Sequence, residues 1–591
     1  METELEFRVI KLTDSALSHG RINIRACGRE FFPPEAFGNS SRARGGGARL
    51  CLRIKGLTEP VMTDIPTDAA GRPRWFFRER AWVKPFIQVN SLSAGAQVLI
   101  RRLTATEYEV APLNGAPPQE TAPMLPGFAS ASDGHRRVSN GHIRGQRGKN
   151  GDLNKLAPED RPVHDWYRFV LSYPPHLVRE YLRQFAISGD QLVLDPFCGT
   201  GTTVVECQKQ GIRAVGIEAN PMAAFASATK CDWRPDANGL LRHARKIADL
   251  AVARLKEDGI EDNPFLEVQP KPAKPLRTLD AERMGLLLSD CISPLPLHKT
   301  LVLLEVMEQH ADAEYAAHER LALAKALVYS ISNLHFGPEV GVGPAKPDCP
   351  VVAAWLQCVQ AMARDLATVQ RTRFVQAVVH HADARNLSDL LEPASVSAVI
   401  TSPPYPNEKD YTRTTRLESV LLGFIRNNSE LRSMKRSLIR SNTRGVYKAD
   451  DDDKWIADVP EIAAIADAIE RRRLELGKTS GFERLYARVT KLYFGGMWRH
   501  LSQLTRVLKP GAHLAYVVGD QASYLRIMIR TGELLGRIAQ AIGYELVGRD
   551  LFRTRLATAT RQQLREEVVV LRWPGSASSV RKSTGKRSGP R

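Results

Sequence analysis

The feature that most restricts the fold is a series of short aliphatic runs that alternate with long helical patterns between residues 191 and 573. Such runs predict buried strands, and strands that are separated by helices favour an open, mostly parallel α/β sheet. Two stretches, about 237–330 and 415–505, exceed what strand crossovers require, so we expect helical insertions that shape a substrate cleft. The predicted strands are QLVLD (191–195), RAVGIE (213–218), VQAVV (375–379), SAVIT (397–401), HLAYVVGD (513–520) and VVVLRW (568–573).

The segments outside this core differ from it in composition. Residues 1–112 alternate short apolar stretches with Gly and Pro, which predicts a small, mostly β domain. Residues 113–160 are rich in Pro, Gly, Ser and charge, as is typical of a flexible linker. The α/β domain is therefore expected to span 161–574, and the basic segment 575–591 is expected to be a disordered tail.

The charge balance restricts the partners. The 591 residues include 83 Lys and Arg against 65 Asp and Glu, which gives a formal net charge of +18 and favours a polyanion, nucleic acid first. No apolar run approaches the ~18 residues of a membrane span, and the start METELEFRV is unlike a secretory signal, so no membrane partner is expected. Eight scattered cysteines predict a reducing cytoplasm.

Spacings typical of metal ligands are missing from the sequence. His380 and His381 are adjacent and would face opposite sides of a strand. Cys349 and Cys358 lack a partner pair at zinc-finger spacing. We therefore expect no metal site.

The most informative segment is VLDPFCGTGTT (193–203), a glycine-containing loop after the first predicted strand. Gly199 and Gly201 let the backbone approach a ligand without interference from a Cβ atom. The second strand ends at Glu218, where an acidic side chain can bond ribose hydroxyls. Val204 takes the place of the third glycine of a dinucleotide fingerprint, and the P-loop lysine is absent. The segment favours a nucleoside ligand without a pyrophosphate, although Gly-x-Gly alone also fits a structural turn.

A second loop, Ser402-Pro403-Pro404-Tyr405, follows the predicted strand 397–401. Two consecutive prolines remove two backbone donors and free the local carbonyls from a strand ladder. The Ser402 hydroxyl and the Pro403 carbonyl can accept the two hydrogens of an exocyclic amine, and Tyr405 offers a stacking face to a flipped base. These four residues are the candidate catalytic residues, and the alternative is a surface turn whose tyrosine packs on the core.

The two loops together resemble a known family. Asp-Pro-Phe-x-Gly-x-Gly-Thr at 195–202 is similar to the S-adenosylmethionine loop of amino-methylating DNA methyltransferases, and Ser-Pro-Pro-Tyr is similar to their catalytic motif. The resemblance implies a Rossmann-like methyltransferase core, S-adenosylmethionine as cofactor and double-stranded DNA as partner. It places Asp383 at the adenine of the cofactor and Tyr173 in a segment that closes over its methionine end. The cofactor-binding residues implied in this way are Asp195, Pro196, Phe197, Gly199, Gly201, Thr202, Glu218, Asp383 and Tyr173.

The target base and the biological role remain open among several hypotheses. A serine-first motif resembles cytosine-N4 enzymes, so the favoured function is site-specific cytosine-N4 methylation of DNA in a restriction–modification or related defence system. Adenine-N6 methylation, RNA guanine-N2 methylation and a non-catalytic DNA-binding regulator are the alternatives, and a cognate restriction endonuclease is a candidate partner. Carbon methylation is disfavoured because the chain contains no Pro-Cys dipeptide. The cofactor loop precedes the catalytic loop, which resembles a permuted arrangement.

The N-terminal domain interleaves basic and aromatic residues between glycine turns. Such a surface suits a duplex backbone, although a small barrel with a solvated basic rim is the alternative. The layout resembles the DNA-binding pseudobarrels of plant transcription factors and of some restriction-enzyme effector domains. The candidate DNA contacts are Arg42, Arg44, Arg74, Arg78 and Arg80.

Overall fold

A computed structural model gives two compact units, Met1–Gly141 and His142–Arg591. The boundary between them lies inside the segment predicted as a linker. Most of that linker and nearly all of the predicted tail lie outside the described residues, so both stay predictions. The structure describes residues 7–12, 20–39, 47–55, 57, 59–68, 71–90, 92, 96–112, 156–168, 172–262, 274–336, 340–372, 374–407, 409–479, 481–556 and 563–575.

The first unit is a small, mostly β structure, as the turn-bounded apolar runs predicted. Its five-stranded sheet has the order β1-β6-β7-β3-β4, and β2 pairs with β5 separately. A helix, Val83–Val89, packs its buried residues Val83 and Phe86 into a core that contains Phe31, Phe32 and Tyr108. The strands are β1 (Phe7–Lys11), β2 (Phe37–Asn39), β3 (Leu50–Ile54), β4 (Val61–Thr63), β5 (Ile65–Thr67), β6 (Gln97–Arg102) and β7 (Glu107–Pro112).

The second unit contains a seven-stranded sheet in the order β12-β9-β8-β13-β14-β16-β15. The first five strands of this order run parallel, and β16 and β15 are antiparallel to their neighbours. The predicted fold class is confirmed: the chain has a Rossmann-like α/β core and, as a separate unit, a small β region. A separate hairpin joins β10 (Leu334–Phe336) to β11 (Val340–Val342). The sheet strands are β8 (Leu192–Asp195), β9 (Arg213–Glu218), β12 (Val378–His381), β13 (Val396–Thr401), β14 (Leu508–Gly519), β15 (Glu545–Leu556) and β16 (Gln563–Arg572).

Four strands differ clearly from the sequence prediction, and two of them, β14 and β16, each begin five residues earlier than expected. The edge strand β12 begins three residues later than expected because its pairing with β9 starts only at Val378. The other edge strand, β15, was not predicted. Its sequence ELVGRDLFRTRL carries four Arg or Asp side chains among the apolar ones, and because an edge strand is paired on one side only, it does not need a continuous apolar run.

Helices pack against the sheet and occur in the described parts of both predicted insertions. The helices that fall in 237–330 pack into the large core beside the sheet, through buried residues such as Leu240, Leu303 and Leu323. None of the described helices is long and apolar enough to cross a membrane. The helices of the second unit are Arg161–His164, Pro175–Gln184, Thr202–Lys209, Pro221–Cys231, Ala237–Glu257, Ala281–Leu286, Pro294–Gln309, Ala316–Ala326, Val351–Val369, Tyr411–Thr414, Arg416–Leu421, Asn428–Ser437, Pro460–Glu475, Tyr486–Val507 and Thr531–Ile542.

The strand order determines where a ligand can bind. The chain goes from β8 to β9 on one side, whereas β13 continues to β14 on the other side. The neighbours β8 and β13 therefore flank the point where the winding direction reverses, and ligands of open α/β sheets bind at the carboxyl ends of such strands. All six residues of β13 are buried, so this strand is a fixed central support for the loop that follows it.

Candidate active site

The first predicted loop leaves β8 at Asp195 and enters the helix Thr202–Lys209. Its turn is closed by a hydrogen bond of 2.7 Å from the Gly201 amide to the Cys198 carbonyl. Gly199 and Gly201 both have positive φ, +51° and +88°, a conformation that residues with a Cβ rarely adopt. A Cβ on Gly201 would also lie 2.6 Å from the Ser227 Oγ. The second glycine is therefore required by packing against Ser227 of the helix Pro221–Cys231.

Replacement of Gly201 by alanine is expected to destabilise the protein by about 3 kcal/mol, because left-handed strain adds to the overlap with Ser227. Gly211 provides a matched control, since it also has positive φ (+68°) but no heavy atom within 4 Å of an added Cβ. Gly211→Ala should cost only about 1 kcal/mol. Urea unfolding of the two variants measures the difference, and equal destabilisation would contradict the packing argument.

The Asp195 side chain links the two predicted loops through hydrogen bonds. It is completely buried and accepts hydrogen bonds from the Thr401 hydroxyl at 2.6 Å, the Tyr173 hydroxyl at 3.1 Å and the Phe197 amide at 3.1 Å. Burial raises the pKa of Asp195, and these hydrogen bonds oppose the rise. Because Thr401 is the last residue of β13, this carboxyl group ties the start of one loop to the start of the other.

Glu218 lies at the end of β9, beside the first loop. One carboxylate oxygen accepts the Gly199 amide at 2.9 Å and the other accepts the Asn220 amide at 2.7 Å. Burial raises the pKa of Glu218 from an ordinary 4.5 to about 7, although the backbone amides lower it in part. Each oxygen keeps a lone pair beyond its backbone bond, so the group can accept hydroxyl groups of a ligand.

The second predicted loop leaves β13 and lies against β14. The Ser402 hydroxyl donates a hydrogen bond of 3.1 Å to the Val517 carbonyl. The Tyr405 amide donates to the Tyr411 hydroxyl at 3.3 Å. The Tyr405 ring packs so closely on Gly519 that a Cβ there would lie 3.0 Å from the ring carbon Cε2. The loop is therefore held by the neighbouring strand at both its first and its last residue.

A cavity of about 330 Å³ is lined by both loops. Asp195 and Gly201, which belong to the first loop, are not among the residues that line it. Asp383 lines it, and its carboxylate is held by the Arg385 guanidinium at 2.7 Å. The sequence-predicted residues that meet around this cavity are Tyr173, Pro196, Phe197, Gly199, Thr202, Glu218, Asp383, Ser402, Pro403, Pro404 and Tyr405.

Sequence reasoning missed a wall of this cavity that comes from the segment after the catalytic loop, from the second insertion and from the strands β15 and β16. Lys435 in the insertion is paired with Asp410 at 3.3 Å, so part of this wall is charged. No motif marks these residues, and only the basic run around Lys435–Arg440 distinguishes the segment. The described residues of the first insertion, 237–330, do not line the cavity. The residues that were missed include Asn407, Lys409, Asp410, Tyr411, Lys435, Arg440, Asn442, Phe552, Arg553 and Glu566.

The candidate DNA contacts of the first unit differ in their surroundings. Arg42 and Arg44 lie outside the described residues. Arg78 is only 14% exposed and forms an ion pair with Asp64 at 2.6 Å, which raises the pKa of the guanidinium and engages it inside the unit. Arg74 and Arg80 are exposed. Among the residues that the structure describes, no cluster of His, Cys, Asp or Glu could hold a metal ion.

Comparison with known proteins shows similarity to DNA methylases and to Type II methyltransferases. Residues 144–227, which contain the first loop, match the family model described as DNA methylase. The chain is 24% identical to the Type II methyltransferase M.BsoBI of Geobacillus stearothermophilus, over 70% of this chain and 85% of that protein. It is 23% identical to M.AvaI of Nostoc sp., over 71% and 88%. A shorter match of 32% identity to M.MjaII of Methanocaldococcus jannaschii covers 13% of this chain and 15% of that protein.

Fold, cavity and comparisons together indicate the class of protein. The second unit has a Rossmann-like α/β core. The chain is similar to these Type II methyltransferases over 70% to 71% of its own length and 85% to 88% of theirs.

Proposed function

We propose that this protein is an S-adenosylmethionine-dependent DNA methyltransferase that acts on the exocyclic amine of a flipped base. The observation that carries the proposal is that the two loops line one cavity and are tied together by the Thr401–Asp195 hydrogen bond. One loop suits a nucleoside cofactor and the other suits an amine. The similarity to Type II methyltransferases supports DNA as the substrate.

The residues around the first loop fit the cofactor. Glu218 would hold the ribose hydroxyls through the lone pairs that its backbone bonds leave, and Asp383 would lie near the adenine. Gly199 presents backbone without a Cβ, and Phe197 and Tyr173 provide aromatic walls. When bound, S-adenosylmethionine supplies an electrophilic methyl group on a sulfonium centre, and the leaving thioether needs no protonation.

The second loop would orient the amine. The Ser402 hydroxyl donates its hydrogen bond to the Val517 carbonyl, so both lone pairs of its oxygen can accept an amine hydrogen. The Pro403 carbonyl would accept the other hydrogen, and Tyr405 would stack on the base. Alignment of the nitrogen lone pair with the methyl group is then the main source of acceleration.

Cytosine N4 is the proposed target because the motif begins with serine. Adenine N6 is the second candidate, since a serine hydroxyl can also accept an adenine amine hydrogen. A role in a restriction–modification system with a cognate endonuclease is proposed from the Type II relatives. In the first unit, the exposed Arg74 and Arg80 are proposed to contact the DNA backbone, as the resemblance to DNA-binding pseudobarrels implies.

The proposal predicts that the purified protein transfers labelled methyl groups from S-adenosylmethionine to unmethylated duplex DNA and not to transfer RNA. The expected nucleoside product, identified by mass spectrometry after digestion, is N4-methylcytosine. Detection of N6-methyladenine instead would show that the target is the second candidate, adenine N6. Labelling of transfer RNA alone would favour the guanine-N2 hypothesis, and failure to bind the cofactor in calorimetry would favour a non-catalytic regulator.

A further inference from the structure

A charged pair on the last two strands forms part of the cavity wall. Arg553 on β15 is directly opposite Glu566 on β16, and its Nε donates to the carboxylate at 2.5 Å. The side chains are 20% and 11% exposed, so most of the pair is removed from solvent. Both residues line the same cavity as Ser402 and Tyr405.

This pair lies next to the catalytic loop. Glu566 is also the partner of Gly519 in the antiparallel pairing of β14 with β16. A Cβ on Gly519 would lie 3.3 Å from the Glu566 Cγ and 3.0 Å from the Tyr405 ring. The Tyr405 ring and the Glu566 side chain therefore flank the same backbone position. A base that stacks on Tyr405 would come close to the charged pair.

The pair leaves hydrogen-bond donors for a ligand. Within the described part of the chain, the hydrogen bond of Arg553 uses Nε, and neither of its two terminal nitrogens makes another hydrogen bond. Glu566 holds the guanidinium at Nε through this hydrogen bond. A ligand with two adjacent acceptors could therefore accept hydrogen bonds from both terminal nitrogens of the guanidinium.

We propose that Arg553, held in place by Glu566, reads the flipped base by donating to N3 and O2 of cytosine. This inference rests on the proposed function and gives a physical reason for the cytosine target. Cytosine presents two acceptors side by side next to its amine. Adenine presents N1 beside a C–H group, so the same guanidinium could form one hydrogen bond instead of two. Arg553 is thus a specificity-determining residue for the base.

The test compares ordinary DNA with DNA in which cytosine is replaced by 2-thiocytosine, made by enzymatic copying with the 2-thio nucleotide. Sulfur is a weaker acceptor than oxygen, so wild-type kcat/KM is expected to fall about 10- to 100-fold on the thio-substituted DNA. For the Arg553→Met variant, kcat/KM on ordinary DNA should be lower than that of the wild type by a similar factor. Its kcat/KM values on the two substrates should be nearly equal. Arg553→Lys keeps the positive charge beside Glu566 but lacks the two adjacent donors, so this variant should also lose the preference for ordinary DNA.

Arg549→Met is the matched control. Arg549 lies on the same strand and forms an ion pair with Glu533 at 3.2 Å, but it does not line the cavity. This variant should discriminate between the substrates as the wild type does. Variants of Arg553 that keep the full wild-type preference for ordinary DNA would overturn the inference, and so would methylation of adenine by the wild type. If the wild type methylates no DNA, the proposed function itself fails.

Discussion

Alanine at either Ser402 or Tyr405 is expected to reduce kcat for DNA methylation at least about 100-fold, with little change in cofactor affinity. Ser402→Ala removes the oxygen that we propose accepts an amine hydrogen, and with it the bond to the Val517 carbonyl. Tyr405→Ala removes the ring that packs on Gly519 and would stack on the base. Transfer assays with labelled cofactor measure kcat, and calorimetry with S-adenosylmethionine measures the affinity.

Two conservative variants serve as controls. Ser397 lies on β13, the strand that precedes the catalytic loop. It is buried, and its Oγ has no hydrogen-bond partner among the described residues. Ser397→Ala should therefore keep the wild-type rate. Tyr405→Phe retains the ring and should keep kcat within about fivefold, because stacking needs only the aromatic face. Full activity in both Ser402→Ala and Tyr405→Ala would remove the catalytic assignment.

Replacement of Glu218 is expected to weaken cofactor binding, and the wild-type affinity is expected to depend on pH. Glu218→Ala removes the proposed ribose contact together with the partner of the Gly199 and Asn220 amides, so we expect a loss of at least about 30-fold. The pKa of the buried carboxyl is raised to about 7. Below that pH the free protein carries a proton there, so a cofactor that needs both oxygens as acceptors binds more weakly at pH 6 than at pH 8.

Calorimetric titrations at the two pH values test this prediction. Glu218→Gln cannot titrate, so the part of the pH dependence that Glu218 causes should disappear in this variant. Glu180→Gln, a change at an exposed position on the helix Pro175–Gln184, should retain it. The same raised pKa affects folding. Because the pKa of Glu218 is higher in the folded protein than in the unfolded chain, protonation of this carboxyl group stabilises the folded state. This contribution is complete below pH 4.5 and is lost as the pH rises through about 7. A wild-type affinity that is equal at pH 6 and pH 8 would contradict the role of the carboxylate.

Much of the candidate site could be predicted because its chemistry depends on local sequence. Glycine in a left-handed turn, two consecutive prolines and an acidic strand end are each visible within a few residues. The alternation of aliphatic runs with helical patterns likewise indicated the α/β class, because a buried parallel strand requires a continuous apolar segment. The resemblance added the cofactor and the class of substrate.

The sequence by itself therefore determined the two loops and the kind of sheet that carries them. Only the tertiary structure decided that the two loops meet at one cavity, because the strand order brings β8 beside β13. It also decided that Glu218 and Tyr405 line this cavity whereas Asp195 and Gly201 do not. It also placed Arg553 opposite Glu566 at the cavity wall. Such cross-strand partners are set by the register of long-range pairing, to which no local pattern of residues corresponds.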